Sequence, residues 1–233
     1  MKYLITLVFS SILFTAQAQL NFRIAYDDAF FKPTKINAIV ADYNKNNTLA
    51  YTNFKPIAHL PGIEMGARFR NDFIAFEGSW TTHFATKSQI NWLDASKNDR
   101  KSQSFGLNSQ TFSGGLTFFL GKFGLGATYD QNYFNMSRKL IGQARKINIY
   151  NKSLRYNSAT FFVQYEVKMT PVMHFAFRPY VQIPLKNATF NTLDFRNAIA
   201  PKSDLTFADG FGQDLTFIGL KLIFYNGKQE ENN

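Results

Sequence analysis

Large apolar side chains and ionisable ones stand in near-alternation over residues 62–86 of the chain. From Ile74 to Phe84, every second position is apolar or small, and Glu77 and His83 fall on the intervening positions. A period of two is the signature of a β-strand whose two faces meet different surroundings. This stretch therefore predicts a strand with one apolar and one polar face.

The same alternation predicts eight strands. Their apolar faces run from Leu20 to Tyr26, Ile63 to Phe69, Ile74 to Phe84, Phe112 to Leu120, Leu125 to Tyr133, Phe161 to Val167, Phe175 to Ile183 and Ile218 to Phe224.

The connections between these segments alternate in length. Those after the second, fourth and sixth segments are tight, built on Asn71-Asp72, Gly121-Lys122-Phe123 and Thr170-Pro171-Val172, whereas the other four are about 20 to 30 residues long. Short turns on one side and long loops on the other are typical of outer-membrane barrels. We therefore predict an all-β fold, an eight-stranded antiparallel transmembrane β-barrel with short periplasmic turns, long extracellular loops and one short loop helix.

The helix is predicted in the first long loop, in the segment PTKINAIVADYNKN. Ile36, Ile39, Val40 and Tyr43 follow the i, i+3, i+4, i+7 spacing of one helix face, and Pro33 is well placed near the start. We expect the helix to pack on the barrel rim. Its apolar stripe could cover the lumen or contact lipid.

Alternation alone does not say which face of the sheet points inward, and a soluble barrel or sandwich would have its apolar face inside. On the polar face, six cations nearly balance five anions. Enclosed charges must be paired, because an unpaired buried charge is strongly destabilising. We therefore assign the polar face to the lumen, as a salt-bridged network that fills it, with a narrow polar path for ions or small solutes as the alternative. The predicted barrel-interior charge network is Arg23, Asp27, Glu64, Arg68, Arg70, Glu77, Asp130, Glu166, Lys168, Arg178 and Lys221.

The N-terminal residues predict export. Lys2 is followed by an apolar run and by Ala16-Gln17-Ala18, the pattern of a secretory signal peptide with its cleavage site. We expect a signal peptide over residues 1–18 and Sec-dependent export, then the barrel over 19–225 and a short polar periplasmic tail over 226–233. The chain has no cysteine, which excludes disulfides, thiolate chemistry and a lipidated cysteine anchor.

The formal net charge of +10 is concentrated in the third long loop, residues 137–155, which has six cations and no acid. Arginine and lysine pair well with phosphate, so these residues are predicted contacts to lipid A or to a surface partner. A solvated loop that only balances the anionic leaflet is the alternative, and the predicted compartment argues against nucleic acid. The six residues are Arg138, Lys139, Arg145, Lys146, Lys152 and Arg155.

Aromatic side chains on the apolar faces are predicted to anchor the barrel at the membrane interfaces, where an apolar ring with a wet tip is favoured. The predicted interface aromatics are Tyr26, Trp80, Phe84, Tyr129, Tyr133, Tyr165 and Phe224.

The three histidines give no specific sign of a catalytic site. His59 falls in the first outer loop, His83 on the lumen face near the outer end of its strand, and His174 after a periplasmic turn, out of reach of the other two. No serine is placed beside a histidine and an acid, as a nucleophile would require, and His59 with His83 would supply only two metal ligands. We predict no catalytic residue, metal or cofactor.

The signal ending AQA-Q, the eight alternating segments and the closing LTFIGLKLIFY resemble the small outer-membrane β-barrel proteins of Bacteroidota, similar in architecture to the OmpA/OmpX-type eight-stranded barrels. The resemblance covers residues 19 to 225. It implies a location in the cell outer membrane among lipids and lipopolysaccharide. It also implies recognition of the last strand, with Leu220, Leu222 and Phe224, by the barrel-assembly machinery. The chain departs from that pattern by running on for NGKQEENN.

These observations predict a non-enzymatic outer-membrane barrel. Its lumen is salt-bridged and largely closed, and its basic extracellular loops interact with a surface partner or lipopolysaccharide. One alternative is an accessory subunit of a larger outer-membrane secretion or assembly complex. The other is a lipid-modifying outer-membrane enzyme.

Overall fold

The computed structural model describes residues 19–92, 96–139, 147–148, 154–170, 172–192, 196, 200, 203–205 and 211–226. The predicted signal peptide and residues 227–233 of the predicted tail lie outside this part of the chain. The elements are β1 (Gln19–Phe31), α1 (Thr34–Asn46), β2 (His59–Arg70), β3 (Ile74–Trp92), β4 (Arg100–Leu120), β5 (Phe123–Lys139), β6 (Ile147–Asn148), β7 (Leu154–Thr170), β8 (Met173–Pro184), β9 (Ala188–Phe190), β10 (Phe211–Gln213) and β11 (Phe217–Asn226).

Eight of these strands form a closed ring. In the order β1, β2, β3, β4, β5, β7, β8, β11, each pairs with its two neighbours in antiparallel fashion, and β11 returns to β1. Within the described residues, the short β6 pairs with β5 alone, and β9 with β10 forms a separate two-stranded sheet. The prediction of a closed eight-stranded antiparallel barrel with one helix is therefore confirmed. No helix in the described ranges is long and apolar enough to span a membrane.

The three predicted tight turns lie together at one end of the barrel, which we call the turn end; the opposite end is the loop end. The Asn71 side-chain oxygen accepts hydrogen bonds from the N–H groups of Phe73 and Ile74, at 3.0 and 2.8 Å, and so closes the first turn. Gly121 has a φ of +61°, which the second turn requires and which glycine adopts without strain. Pro171 of the third turn lies outside the described residues.

Two of the predicted long connections are shorter than 20 to 30 residues. The connection between β5 and β7 is residues 140–153, because β5 ends at Lys139 and β7 begins at Leu154. The loop after the third strand was expected to span about 20 to 30 residues, but β3 and β4 pair as far as Trp92 and Arg100, so their connection is residues 93–99. The outward side chains of β4 are polar through Asn108 and Gln110 and become apolar only from Phe112 onward. The pattern of outward apolar residues therefore covers only the part of β4 from Phe112 onward, and it misses the part from Arg100 to Thr111.

The two faces of the wall exchange polarity along the same strands. Toward the turn end, apolar side chains point outward and stay exposed, for example Phe118 at 61% and Leu125 at 66%. Toward the loop end, the inward positions become apolar and buried, as at Phe105 and Leu107 of β4. We call the outward apolar surface the apolar belt. Its exposed members include Leu20, Phe22, Ile24, Tyr26, Ile63, Met65, Phe69, Phe112, Leu116, Phe118, Leu125, Tyr129, Phe161, Val163, Tyr165, Phe177, Ile218, Leu220 and Phe224.

The loop-end half of the barrel encloses a hydrophobic core of its own. The four apolar residues that predicted α1 are all buried there, with exposures between 0% and 5%. The helix stripe therefore covers the lumen, one of the two surroundings that the sequence left open for it. The core, called the loop-end core, comprises chiefly Ala29, Phe31, Ile36, Ile39, Val40, Tyr43, Phe54, Ile57, Leu60, Phe105, Leu107, Phe134, Met136, Tyr156, Phe190, Phe211 and Phe217.

Two asparagines tie α1 to the chain segment that follows it. The Asn37 amide donates to the Ile57 carbonyl at 2.8 Å, and its oxygen accepts from the Ile57 N–H at 2.9 Å. Asn44, two turns along the helix, bonds both backbone groups of Phe54 in the same way, at 2.9 and 3.1 Å. Because Asn37 and Asn44 are seven residues apart, they project from nearly the same side of α1.

The long connection between β8 and β11 supplies further ties. Gln213 of β10 accepts the N–H of Lys35 at 3.0 Å, and so caps a helix that has no side-chain cap of its own. The Asp42 carboxylate accepts the Ser203 hydroxyl at 2.7 Å and the Leu205 N–H at 3.0 Å. These hydrogen bonds lower the pKa of Asp42 below its ordinary value, the Ser203 hydroxyl contributing most.

The loop-end core predicts a strong dependence on Phe105, which is 1% exposed. Replacement by alanine should lower the free energy of unfolding by about 3 to 5 kcal/mol, through lost burial and the cavity left behind. Equilibrium chemical denaturation measures the difference. Ser104→Ala, the neighbouring position on the other face, is the matched control. Equal effects of the two substitutions would contradict a packed loop-end core.

Asp42 should titrate below the ordinary range of aspartates, as followed by carboxyl NMR shifts. Its folded-state pKa is depressed, so its contribution to docking the Ser203–Leu205 segment is complete above the unfolded pKa and is lost as the pH falls through the folded pKa. Ser203→Ala should move the midpoint back toward the ordinary value, whereas Thr48→Ala, an exposed change just after α1, should not. A midpoint at the ordinary value in the unmodified protein would refute this account.

Candidate functional site

The lumen below the loop-end core is crossed by an ion pair between opposite walls. Arg178 of β8 donates from Nη1 and Nη2 to the two carboxylate oxygens of Glu77 on β3, both at 2.8 Å. These strands are four positions apart in the ring of eight, so the pair spans the lumen. Arg23 of β1 pairs with the same carboxylate. All three side chains are at most 3% exposed.

A second pair crosses the lumen nearer the turn end. Arg68 of β2 and Glu166 of β7 also belong to opposite strands, and they form a direct ion pair that Arg70 joins from the same strand as Arg68. Arg68 lies over the Tyr225 ring, with its Cζ 3.5 Å from the ring centroid. Phe119 stacks on Arg70 in the same way at 3.7 Å. Aromatic rings thus cover the guanidinium faces while the edges bind the carboxylate.

A third cluster joins β1, β2 and β11. Arg23 pairs with Glu64 at 2.8 Å, and Lys221 reaches both Glu64 and Asp27, the latter at 3.4 Å. Tyr180 donates its hydroxyl to Asp27 at 2.8 Å. The Tyr180 ring passes directly over Gly219, where a Cβ atom would overlap it.

Asp130, on the β5–β7 side of the lumen, is satisfied without a cation in the described part of the chain. Its carboxylate accepts the hydroxyls of Thr128 and Thr160, the first at 2.7 Å, and more distantly bonds Ser158 and the Gln182 amide, both at 3.3 Å. It is fully buried. Neutral donors therefore stabilise this carboxylate, in contrast to the ion-paired acids across the lumen.

Between these clusters lies a small cavity of about 20 Å³, lined by charged groups such as Arg23 and Asp27 and by hydroxyls such as Ser79 and Thr111. A volume of this size accommodates roughly one water molecule. An eight-stranded ring leaves an interior only just wide enough for side chains. The charge network lies below this cavity and the loop-end core lies above it.

Of the eleven predicted network residues, ten project into the lumen, and the structure differs at one. Lys168 is exposed near the turn end of β7, two residues beyond Glu166, where the wall is ending. Without it, the predicted network has five cations and five carboxylates. They are Arg23, Arg68, Arg70, Arg178 and Lys221 against Asp27, Glu64, Glu77, Asp130 and Glu166.

The histidines do not assemble a site. His83 faces the lumen and pairs through Nε2 with Asp27 at 3.0 Å, whereas His59 points outward, where it binds Asp28 and packs against Phe30. The idea that His59 and His83 share a metal is therefore wrong, since they lie on opposite faces of the wall. His174 is buried at the turn end. Within the described residues there is no cluster of three potential metal ligands, and no serine or threonine hydroxyl bonds His59.

The predicted basic residues of the third loop are spread over different surfaces. Arg138 is partly buried on the inward side of β5, Lys139 is exposed at its end, and Arg155 is exposed on the outward face of β7. Arg145, Lys146 and Lys152 lie outside the described residues. The structure therefore does not gather the described three into one patch.

The seven predicted interface aromatics all point outward. Phe84 and Tyr133 lie toward the loop end, Tyr165 and Phe224 lie toward the turn end, and the remaining three fall between them. Tyr133 carries Arg155 above its ring, with 5.2 Å between the Cζ atom and the ring centroid. The outward aromatics thus occupy both margins of the apolar belt.

Several lumen residues were missing from the predicted network. Gln164 accepts the Arg178 Nε–H at 2.7 Å, and Phe162 lies under the Arg178 guanidinium at 4.0 Å. The Tyr225 hydroxyl accepts from Arg178 Nη2 at 3.0 Å and donates to Gln164 Oε1 at 3.4 Å. The alternation already placed Gln164 inward. Phe162 and Tyr225 share that parity, so continuing the inward positions past the charged residues would have found them.

No protein-family model and no curated protein matches the chain. Among solved structures, Ail, the attachment invasion locus protein of Yersinia pestis, is 11% identical, with 91% of this chain and 99% of that chain covered and a TM-score of 0.44. Ail in complex with the heparin analogue sucrose octasulfate is 10% identical over 91% and 99%, with a TM-score of 0.43. Neisserial surface protein A is 10% identical over 90% and 96%, with a TM-score of 0.42. The barrel is established by the strand pairing rather than by these distant matches.

Glu77→Gln should destabilise the barrel by about 3 to 5 kcal/mol, because it leaves the buried Arg178 guanidinium without its carboxylate and removes one of the two carboxylates that pair with Arg23. The free energy of unfolding in urea measures the change. Asp72→Asn, in the exposed turn after β2, is the matched carboxylate-to-amide control and should stay within about 0.5 kcal/mol. Adding Arg178→Gln to Glu77→Gln should recover part of the loss. Similar values for Glu77→Gln and Asp72→Asn would contradict the cross-lumen role.

Proposed function

We propose that the chain is an outer-membrane β-barrel that acts at the cell surface as a non-enzymatic interaction protein and not as a pore. Export through the Sec pathway and lipid or lipopolysaccharide surroundings form part of this proposal. The observation that carries it is the apolar belt. A water-facing barrel would leave these large side chains exposed at a high cost in hydrophobic free energy.

The height of the belt supports a membrane-spanning role. On β4 its outward residues run from Phe112 to Leu120, nine positions with no charged side chain on the outward face. A transmembrane strand needs about 9 to 11 residues when tilted by about 45°. Above Phe112 the outward face turns polar at Gln110, which is the change expected on leaving the hydrocarbon layer.

The closed lumen supports a role other than transport. Two cross-lumen ion pairs, Arg178 with Glu77 and Arg68 with Glu166, obstruct the turn-end half, and the loop-end core fills the other half. Opening a path would break buried charge pairs and unpack apolar side chains together. The function is therefore proposed to reside on outer surfaces, where basic loops such as the one carrying Lys139 would meet a surface partner or lipopolysaccharide.

The two alternatives make separable predictions. An accessory subunit of a larger secretion or assembly complex would recover defined barrel partners when a tagged copy is isolated from native outer membranes. A lipid-modifying enzyme would alter the mass spectrum of membrane lipids on overexpression, in a manner lost on His59→Ala. The pairing of His59 with Asp28 gives the enzyme alternative a histidine and an acid. In the described part of the chain, however, no serine or threonine hydroxyl bonds His59 as a nucleophile would.

The membrane assignment predicts a large effect for one arginine substitution and a small effect for another on the same face of β4. Leu116→Arg, inside the apolar belt, should lower the free energy of unfolding in lipid vesicles by about 2 to 4 kcal/mol, whereas Gln110→Arg, beyond the belt, should change it by about 1 kcal/mol or less. The folded fraction in urea, read from heat-modifiable gel mobility, measures both. If the unmodified chain is soluble and monomeric without detergent or lipid, the proposal is wrong.

A further inference from the structure

The outward face of β4, β5 and β7 changes from apolar to polar and then to basic on the way to the loop end. Beyond the apolar belt, the outward positions of these strands carry amides, small residues, a tyrosine and cations, and none carries a carboxylate in the described ranges. We call this surface the rim sector. Its main residues are Gln110, Gln131, Tyr133, Lys139, Arg155 and Asn157.

Arg155 is the oriented cation of the rim sector. It stands directly opposite Tyr133 in the β5–β7 ladder, and the ring lies 5.2 Å from its Cζ. An aromatic face holds a guanidinium in place while leaving its N–H edge available for an anion. None of the ion pairs formed within the described chain involves Arg155. A fixed arginine without a carboxylate partner in this part of the chain presents an open donor edge.

The position of Arg155 relative to the belt matches the level of lipid headgroups. Tyr133 is four residues beyond Tyr129 of the belt, about 13 Å along the strand. With the usual tilt of barrel strands, this corresponds to a rise of roughly 10 Å from Tyr129. A side chain at this level would stand just above the hydrocarbon layer.

The rim is not basic all round. On the β1–β2 side, the outward pair at the same margin is Asp28 with His59, so an acid occupies the surface there. The absence of such an acid from the rim sector is thus a local property of one side of the barrel. Charge complementarity favours an anionic headgroup on the β5–β7 side and disfavours it on the β1–β2 side.

We infer that the rim sector binds the phosphate of an outer-leaflet glycolipid headgroup. Arg155 would donate its N–H groups to the phosphate oxygens, and the Gln131 and Asn157 amides, which face each other across the β5–β7 ladder, would hydrogen-bond sugar hydroxyls. This inference rests on the proposed function, because it requires the belt to lie in a bilayer. It narrows the predicted lipid A contact to one side of the barrel and to Arg155 with its neighbouring amides.

The test uses the full chain in phosphatidylcholine nanodiscs that contain a small, fixed fraction of a diphosphorylated disaccharide glycolipid. Native mass spectrometry counts the glycolipid molecules retained per protein. Arg155→Gln should reduce retention about fivefold, the effect of one cation near a lipid surface. Tyr133→Leu should give a smaller reduction, because the arginine remains but is no longer held.

Arg100→Gln is the matched control. Arg100 also lies over a tyrosine ring, that of Tyr51 at 5.6 Å, but it begins β4 twelve residues beyond Phe112 and stands far above the belt. Its substitution should leave glycolipid retention unchanged. Heat-modifiable mobility of each variant verifies that the barrel is folded.

Each other outcome overturns a distinct statement. Equal losses for Arg155→Gln and Arg100→Gln, or equal retention of the dephosphorylated glycolipid, would overturn phosphate recognition by the rim sector. If millimolar inorganic phosphate displaces the glycolipid, the ligand of the rim sector is a free anion and not a lipid headgroup. Binding of a soluble anionic polysaccharide with the same dependence on Arg155 would assign the sector to that class instead. A chain that does not remain in the nanodisc would overturn the proposed function itself.

Discussion

The closed ring of eight strands imposes the constraint from which the rest of the structure follows: charges that face the lumen have no bulk water to solvate them. Each must be paired with an opposite charge or bonded by neutral donors, as Asp130 is, within a space only as wide as two side chains. Arg178 with Glu77 and Arg68 with Glu166 satisfy this demand between diametrically opposite strands. Such pairs also fix the relative register of strands that never touch, because a shift by one residue would turn a buried charge outward.

Toward the loop end, the two faces of the same strands meet different surroundings. Once the outward face leaves the apolar belt, as at Gln110 of β4, it turns polar, and the inward face exchanges hydroxyls for Phe105 and Leu107. The loop-end half is consequently built like a soluble barrel, with its apolar side inside. Its interior is filled in part by the apolar stripe of α1, which Asn37 and Asn44 hold in place through hydrogen bonds to the backbone.

The alternation predicts the eight strands, the three turns and the inward side of most charged residues, because a period of two is a local property of the chain. It failed where the outcome depends on position along the barrel. The polarity exchange hid the outer parts of β3 and β4, and Lys168 has the correct parity but lies too close to the end of its strand to be enclosed. Likewise, helical spacing predicted α1, while only tertiary packing determines that its stripe covers the lumen.

The packed loop-end core has a consequence for binding at the outer surfaces. Segments tied to a hydrophobic core lose little conformational entropy when a partner docks, so surfaces on α1 and on the outer parts of β4 and β5 are preorganised. The belt margin is preorganised by a different means, since Tyr133 holds Arg155 at a fixed place on the wall. Both features hold these outward side chains in place before any ligand binds, which lowers the entropic cost of binding.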